Sequence, residues 1–245
     1  MNLQKICNTT LQFYSCFCGT DLATLTPGIH FVCTEERDVS LKGFGCKYTL
    51  FLLVSEDSCV ISYSPKYCHF VDSLKSAGIN EILFAIRQKQ MPKHMRLFTF
   101  GGEAVFDYRN AKILEPTDYS LFASFFRKAY PTANPDGWLY DYFTEKTEKE
   151  YMAGYIENGV LVSVCDAPDM PYMENLIQHT GIMTLPDYRN KGYAKSTAAL
   201  STHHLLENGV CPQWECHAKN IASINLARTL GYQDFAQAYI WEENP

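Results

Sequence analysis

An apolar run at 176–183, LIQHTGIM, leads into the loop TLPDYRNKGYAKS at 184–196. A helix-forming stretch then runs to Asn208, where Gly209 stops it. A strand-length run at 213–217 and a second helical stretch at 220–230, closed by Gly231, follow directly. Strands alternating with helices restrict the chain to an α/β (α+β) architecture. The loop narrows the choice further. A helix N-terminus exposes unpaired N–H groups and a partial positive charge, so it favours anions. Gly192 lets the backbone approach a bulky ligand, because it has no Cβ. Arg189 and Lys191 add full charges, and Ala194 keeps the first helical turn small. Together these groups suit a diphosphate. The pattern Arg-x-x-Gly-x-Ala is neither a P-loop nor a dinucleotide fingerprint.

The rest of the chain divides near residue 110, without a Pro/Gly-rich linker. The segment 1–110 reads as a small α/β unit. A helix is expected at 2–15, a strand at 48–54 (YTLFLLV), a turn at 55–58 and a returning strand at 59–63. Pro65 opens a helix to about residue 77, with Gly78 as its stop. Residues 80–87 fit either a strand or a short helix. The runs 96–100 and 104–108 flank Gly101-Gly102-Glu103 and read as a hairpin. In 111–245, a strand at 112–115 precedes helices at 116–129 and 135–147. A hairpin follows at 150–164 across Asn158-Gly159. The last strand is expected at 237–241.

A 245-residue chain with 47 % hydrophobic residues can bury a sizeable core. Its net charge of −6 argues against a nucleic-acid partner and mildly favours a cationic one. No run is long and apolar enough for a membrane span, and the N-terminus is a poor signal peptide. A cytoplasmic location is therefore expected, as monomer or homodimer. The ten cysteines form no CxxC pair, so a metal is not expected and the thiols read as reduced core residues.

Downstream of the loop comes NIASINLARTLGY at 220–232. The two motifs together resemble the Gcn5-related N-acetyltransferases, the GNAT superfamily. Their acetyl-CoA loop reads Gln/Arg-x-x-Gly-x-Gly/Ala. Their next helix reads roughly Asn-x-x-Ser/Ala-x-x-Leu-Tyr-x-x-Leu-Gly-Phe/Tyr. The resemblance covers 111–245. The order of elements and the WECH strand at 214–217 also resemble the zwittermicin-resistance-type subgroup, which carries an N-terminal extension. The resemblance implies a GNAT fold at 111–245, with a central mixed, splayed β-sheet flanked by helices. The smaller domain at 1–110 is then an extension, or a degenerate copy of the same fold.

The resemblance further implies acetyl-CoA as cosubstrate and no metal. Arg189, Asn190, Lys191, Gly192, Tyr193 and Ala194 would surround its pyrophosphate. Ile182, Met183 and Thr184 would pair with the pantetheine arm through their backbone. Asn220 would bind the arm or cap its helix, and Ser223 would be a contact or a first-turn residue. The thioester would lie in a slot between 182–184 and 213–217, its carbonyl polarised by an N–H near Met183. The expected reaction is direct attack by a primary amine of a small molecule, an antibiotic or metabolite. A peptide amine, or a non-catalytic acyl-CoA sensor, is the alternative.

Glu174, His179, Glu215 and His217 are the titratable groups expected beside the slot. Glu174 and Glu215 are the preferred catalytic bases, with the choice between them open. One departure matters. The family's frequent general acid is a Tyr directly after the Leu at 226, and here that position is Ala227. Tyr193 and Tyr232 are the candidate substitutes.

Overall fold

The computed structural model describes residues 1–102 and 107–244. The chain opens with α1 (Leu3–Cys18), β1 (Gly28–Cys33), β2 (Lys47–Val54) and β3 (Ser58–Tyr63). Next come α2 (Cys68–Asp72), α3 (Ile79–Lys89) and β4 (Lys93–Phe100). Then follow β5 (Ala111–Ile113), α4 (Tyr119–Ala129), α5 (Leu139–Glu148), β6 (Ala153–Glu157) and β7 (Val160–Asp166). The chain closes with β8 (Ile177–His179), β9 (Gly181–Thr184), α6 (Tyr193–Glu207), β10 (Cys211–His217), α7 (Ile221–Thr229) and β11 (Tyr232–Glu243).

These strands form a mixed seven-stranded sheet, ordered β1-β3-β2-β11-β4-β10-β8, and a four-stranded sheet, ordered β5-β6-β7-β9. Strands from both sides of residue 110 share the larger sheet. β11 lies between β2 and β4, and β4 lies between β11 and β10. Residue 110 therefore marks no break in the sheet. β1, β3 and β2 extend it beyond β11 and β4 lies within it, instead of building a splayed sheet of their own.

The apolar run at 48–54 lacks alternation because both faces of β2 are covered. Phe51 and Leu53 join the core beneath α1. Leu50 and Leu52 join a second core with Ile82 and Ile86 of α3. α1 presents Ile6, Phe13, Tyr14 and Phe17 to the sheet at helical spacing. The Asn2 side chain caps it by accepting from the Lys5 N–H. A third core holds Phe122, Phe125 and Phe143 of α4 and α5 against Val164 of β7.

Several expectations change. Gly78 does not stop a helix; it is the N-cap of α3, and its N–H donates to Glu81 Oε2 at 2.9 Å. Residues 80–87 are therefore helical, and the expected 65–77 helix shrinks to α2. The returning strand expected at 104–108 falls largely on 103–106, outside the described residues. β1 was not expected, and β11 is twelve residues long, pairs with both β2 and β4, and carries a bulge at Asp234/Ala236 against β4. Six of the ten cysteines are buried, as core thiols should be. Cys33 is exposed, and its Sγ lies 3.3 Å from that of Cys68. Mild oxidation with glutathione disulfide is expected to join this pair first, read as the loss of two titratable thiols.

The single strand expected at 176–183 is two strands in two sheets. β8 pairs in parallel with β10, Gln213 opposite His179. Thr180 still donates its N–H to Gln213 O at 3.0 Å. From Gly181 onward the chain leaves β10 and pairs with β7 instead. The two sheets part at this step, and a slot opens between β9 and β10.

Candidate active site

The loop and the strand before it form one side of the site. Asn190 and Gly192 both adopt left-handed backbone, at φ 61° and 87°. This turns the chain sharply into α6, whose first backbone bond from within the loop runs from Ser196 N to Gly192 O at 3.1 Å. The first-turn N–H groups of α6 before Ser196 are thus directed outward, as in an anion nest. A cleft of about 530 Å³ lies against them. Its walls include Ile182, Met183, Thr184, Arg189, Asn190, Gly192, Tyr193, Ala194, Asn220 and Ser223. Of the residues expected there, Lys191 is missing; its ammonium lies over the Tyr188 ring, 5.1 Å from the centroid.

Lys195 on α6 lines the cleft, and the Arg109 guanidinium packs against Gly192. Neither was expected. Lys195 was legible, one residue beyond the pattern on a helix start. Arg109 was not, because only the folded chain brings it to Gly192.

Asn220 caps α7, its Oδ1 accepting from the Ser223 N–H at 3.2 Å, and it also faces the cleft. Ser223 Oγ accepts from Trp214 Nε1 at 3.1 Å, which fixes α7 to β10. Both residues combine a structural role with a place on the wall.

β9 has β7 on one side and no strand on the other. Leu185 N–H donates to Val162 O at 3.0 Å, so by alternation Met183 also faces β7. The groups on the open edge belong to Ile182 and Thr184. The N–H groups on that edge are therefore those of Ile182 and Thr184, on either side of Met183. Thr184 O accepts from Arg189 Nε at 3.2 Å, which ties the loop to the strand.

Ile182 and Met183 also line a second cleft of about 440 Å³, toward α4 and α5. Trp138, Tyr130, Tyr142 and Phe126 wall it, with Asp166 at the end of β7. Tyr142 and the half-exposed Trp138 thus serve this cleft, whereas Phe143 is fully buried packing. Asp166 sits opposite Gly181, where the sheets part. It forms no ion pair among the described residues. Burial pushes its carboxyl up to about 6, opposed by the positive fields of His179 and Lys146. Burial and the Asp166 charge in turn raise the Tyr130 and Tyr142 hydroxyls.

His179 borders the same step. Its Nε2 lies 3.4 Å from Glu215 O, an acceptor, so Nε2 carries the proton. That leaves Nδ1 as a lone pair, buried and without a partner among the described residues. A Cβ placed on Gly181 would sit 3.1 Å from Asp166 Oδ1 and 3.7 Å from His179 Nδ1. The absent side chain leaves both groups facing one small space.

The two preferred bases lie elsewhere. Glu174 is on the surface, bonded to Lys42 at 2.5 Å and to Lys149 at 3.4 Å, and these partners hold its carboxyl below the usual range. It is absent from the walls of both clefts. Glu215 faces α1 with Gln213 and lines a smaller cavity of about 190 Å³ that also contains His179. Ala227 is fully buried in the core, while Leu226 faces the first cleft. Tyr232 is also buried, its hydroxyl 2.9 Å from Thr202 Oγ1, so it is unable to serve as an acid. Tyr193 lines the first cleft beside Tyr155. Among the described residues no cluster of metal-ligating side chains occurs, and no helix is long and apolar enough to cross a membrane.

Residues 154–240 match the model of a family described as GNAT acetyltransferase. Among solved structures, an acetyltransferase of the GNAT family from Colwellia psychrerythraea shares 13 % identity, covering 98 % of this chain and 97 % of that one, with a TM-score of 0.56. A GCN5-related N-acetyltransferase from Sphaerobacter thermophilus shares 12 % identity over 69 % of this chain and 58 % of its own, with a TM-score of 0.50. A GNAT-family protein from Novosphingobium aromaticivorans shares 18 % identity over 64 % and 66 % of the two chains, with a TM-score of 0.47. No curated protein sequence matches the chain. The fold is that of the GNAT proteins, and residues 154–240 match the model of that acetyltransferase family.

Proposed function

We propose that this chain, whose residues 154–240 match the GNAT acetyltransferase model, transfers the acetyl group of acetyl-CoA to a primary amine of a small molecule. One observation carries the reading: Ile182 and Met183 form a shared wall between two clefts. One cleft has the anion-binding loop, and the other has an unpaired carboxylate and a free imidazole nitrogen beside it. The N-terminal extension and the Trp214 strand support placement in the zwittermicin-resistance-type subgroup.

The α6 first turn, Asn190 and Gly192 hold the pyrophosphate, with Arg189, Lys195 and Arg109 supplying charge. The open edge of β9 takes the pantetheine amide groups, and the Ile182 N–H stabilises the oxyanion. The acceptor binds as an ammonium ion beside His179. It gives one proton to His179 Nδ1, and the ionised Asp166 stabilises the resulting imidazolium. The amine nitrogen then attacks the thioester carbon. The C–N bond forms and the C–S bond breaks. The second amine proton leaves with the thiolate, giving CoA, and the proton on His179 returns to solvent.

A sensor that binds acyl-CoA without turnover is the competing reading, motivated by Ala227. The burial of Ala227 weakens it, since that position does not face the first cleft. Titration calorimetry is expected to show acetyl-CoA binding in the micromolar range; no heat at about 1 mM would remove the reading. Amine-dependent release of free thiol, over a panel of amines, would exclude the sensor.

A further inference from the structure

The cavity between His179 and Glu215 is not built by the matched family segment alone. One wall belongs to residues far upstream: Phe13 and Phe17 of α1, and Gly43 and Phe44 of the loop before β2. The opposite wall is Pro168, Asp169, His179 and Glu215. Gly43, at φ 77°, is pressed against the Asp169 backbone; a Cβ there would lie 2.5 Å from Asp169 Cβ. Gly43, Pro168 and Asp169 also line the α4–α5 cleft, so the two spaces share this wall. Beyond Glu215 and Phe44 the cavity opens into a further groove over Tyr48 and Met95, on the sheet face beside α1.

The chemistry of this passage is aromatic with isolated negative charge. Phe44 is 38 % exposed, although its ring packs edge-on against Tyr48. Glu215 forms no ion pair among the described residues; its carboxylate accepts from Gln213 Nε2 at 3.4 Å. An unpaired carboxylate in an apolar passage attracts a cation, and aromatic rings favour both a cation and a flat apolar body.

We propose that the acceptor is a primary amine carried on an extended aromatic or aliphatic body. Its ammonium group pairs with the Glu215 carboxylate beside His179, and its body lies against Phe13, Phe17 and Phe44. The first hundred residues thereby set acceptor specificity. This inference rests on the transferase reading for the position of the thioester, but not for the binding of the amine.

The test is titration calorimetry with 2-phenylethylamine, 2-phenylethanol and ethylamine, on free and CoA-loaded protein. 2-Phenylethylamine is expected to bind at least about tenfold more tightly than either of the others. Phe44→Ala is expected to remove most of the gain over ethylamine. Glu215→Gln is expected to remove most of the gain over 2-phenylethanol. Equal binding of ethylamine, or unchanged selectivity in both variants, would overturn the proposal. Phe44 is a surface residue and Glu215→Gln is isosteric, so both variants should fold. Absence of CoA binding would sink the transferase reading while leaving the amine titration readable.

Discussion

Gly192→Val is expected to weaken acetyl-CoA binding by about a hundredfold or more, measured by titration calorimetry. Three costs coincide at this position. Its backbone is left-handed, at φ 87°, which a β-branched residue adopts only with strain. An added Cβ meets Arg109 Nη1 at 3.2 Å, and Arg109 has little room to yield if it holds a phosphate. The side chain also fills the approach to the α6 N–H groups. Gly209→Val provides the control. Gly209 is left-handed too, at φ 75°, but a Cβ there meets nothing within 4 Å. That variant should melt earlier and still bind acetyl-CoA normally. Equal affinity in wild type and Gly192→Val would sink the assignment of the loop.

Asp166→Asn should lower turnover and raise stability at the same time. At pH 7.5 the rate of thiol release is expected to fall about a hundredfold, in the usual range for losing a group that assists proton transfer. The wild-type rate should rise with pH through about 6, where Asp166 ionises, and the variant should lack that limb. Stability follows from the same shift. The folded state holds the Asp166 proton more tightly than the unfolded chain does, because burial raises the carboxyl from its ordinary value of 3.8 to about 6. The stabilisation from the protonated form is present in full below pH 3.8 and is lost as pH rises through 6. Above that the buried charge destabilises the fold by roughly 2–3 kcal/mol. Asp166→Asn should therefore unfold at higher denaturant concentration than wild type at pH 7.5. The difference should vanish near pH 4. A variant that is less stable at pH 7.5, or fully active, would remove Asp166 from the mechanism.

The two sides of the site differ in how far the letters reveal them. The proposed donor side is contiguous: Ile182 to Ala194 runs strand, loop and helix in a single stretch, so the motif and the cleft wall coincide. Asn220 and Ser223 were legible for the same reason, as a helix start just after β10. The proposed acceptor side is assembled from Phe13, Phe44, Asp166, His179 and Glu215, which only tertiary packing brings together. Glu174 shows how sequence proximity misleads. Met173 and Asn175 on either side of it are left-handed, at φ 53° and 66°, and the turn they make directs its carboxylate outward to Lys42 and Lys149. Asp166 went unnoticed because its strand was expected to end at 164, and because burial raises its carboxyl only once α4 and α5 are packed. The fold was legible in its elements but not in its pairings, since nothing in β4 announces that it will lie between β10 and β11.

That placement of β4 sets the order in which a ribosome can complete the protein. Phe100 must wait for Tyr232, its partner in β11, and Leu97 for Glu215 in β10. Until the last strand emerges, β2 and β4 hold unpaired edges exposed to other chains. The central sheet closes only when synthesis is nearly finished, so folding should be slow for the chain's size and assisted in a crowded cell.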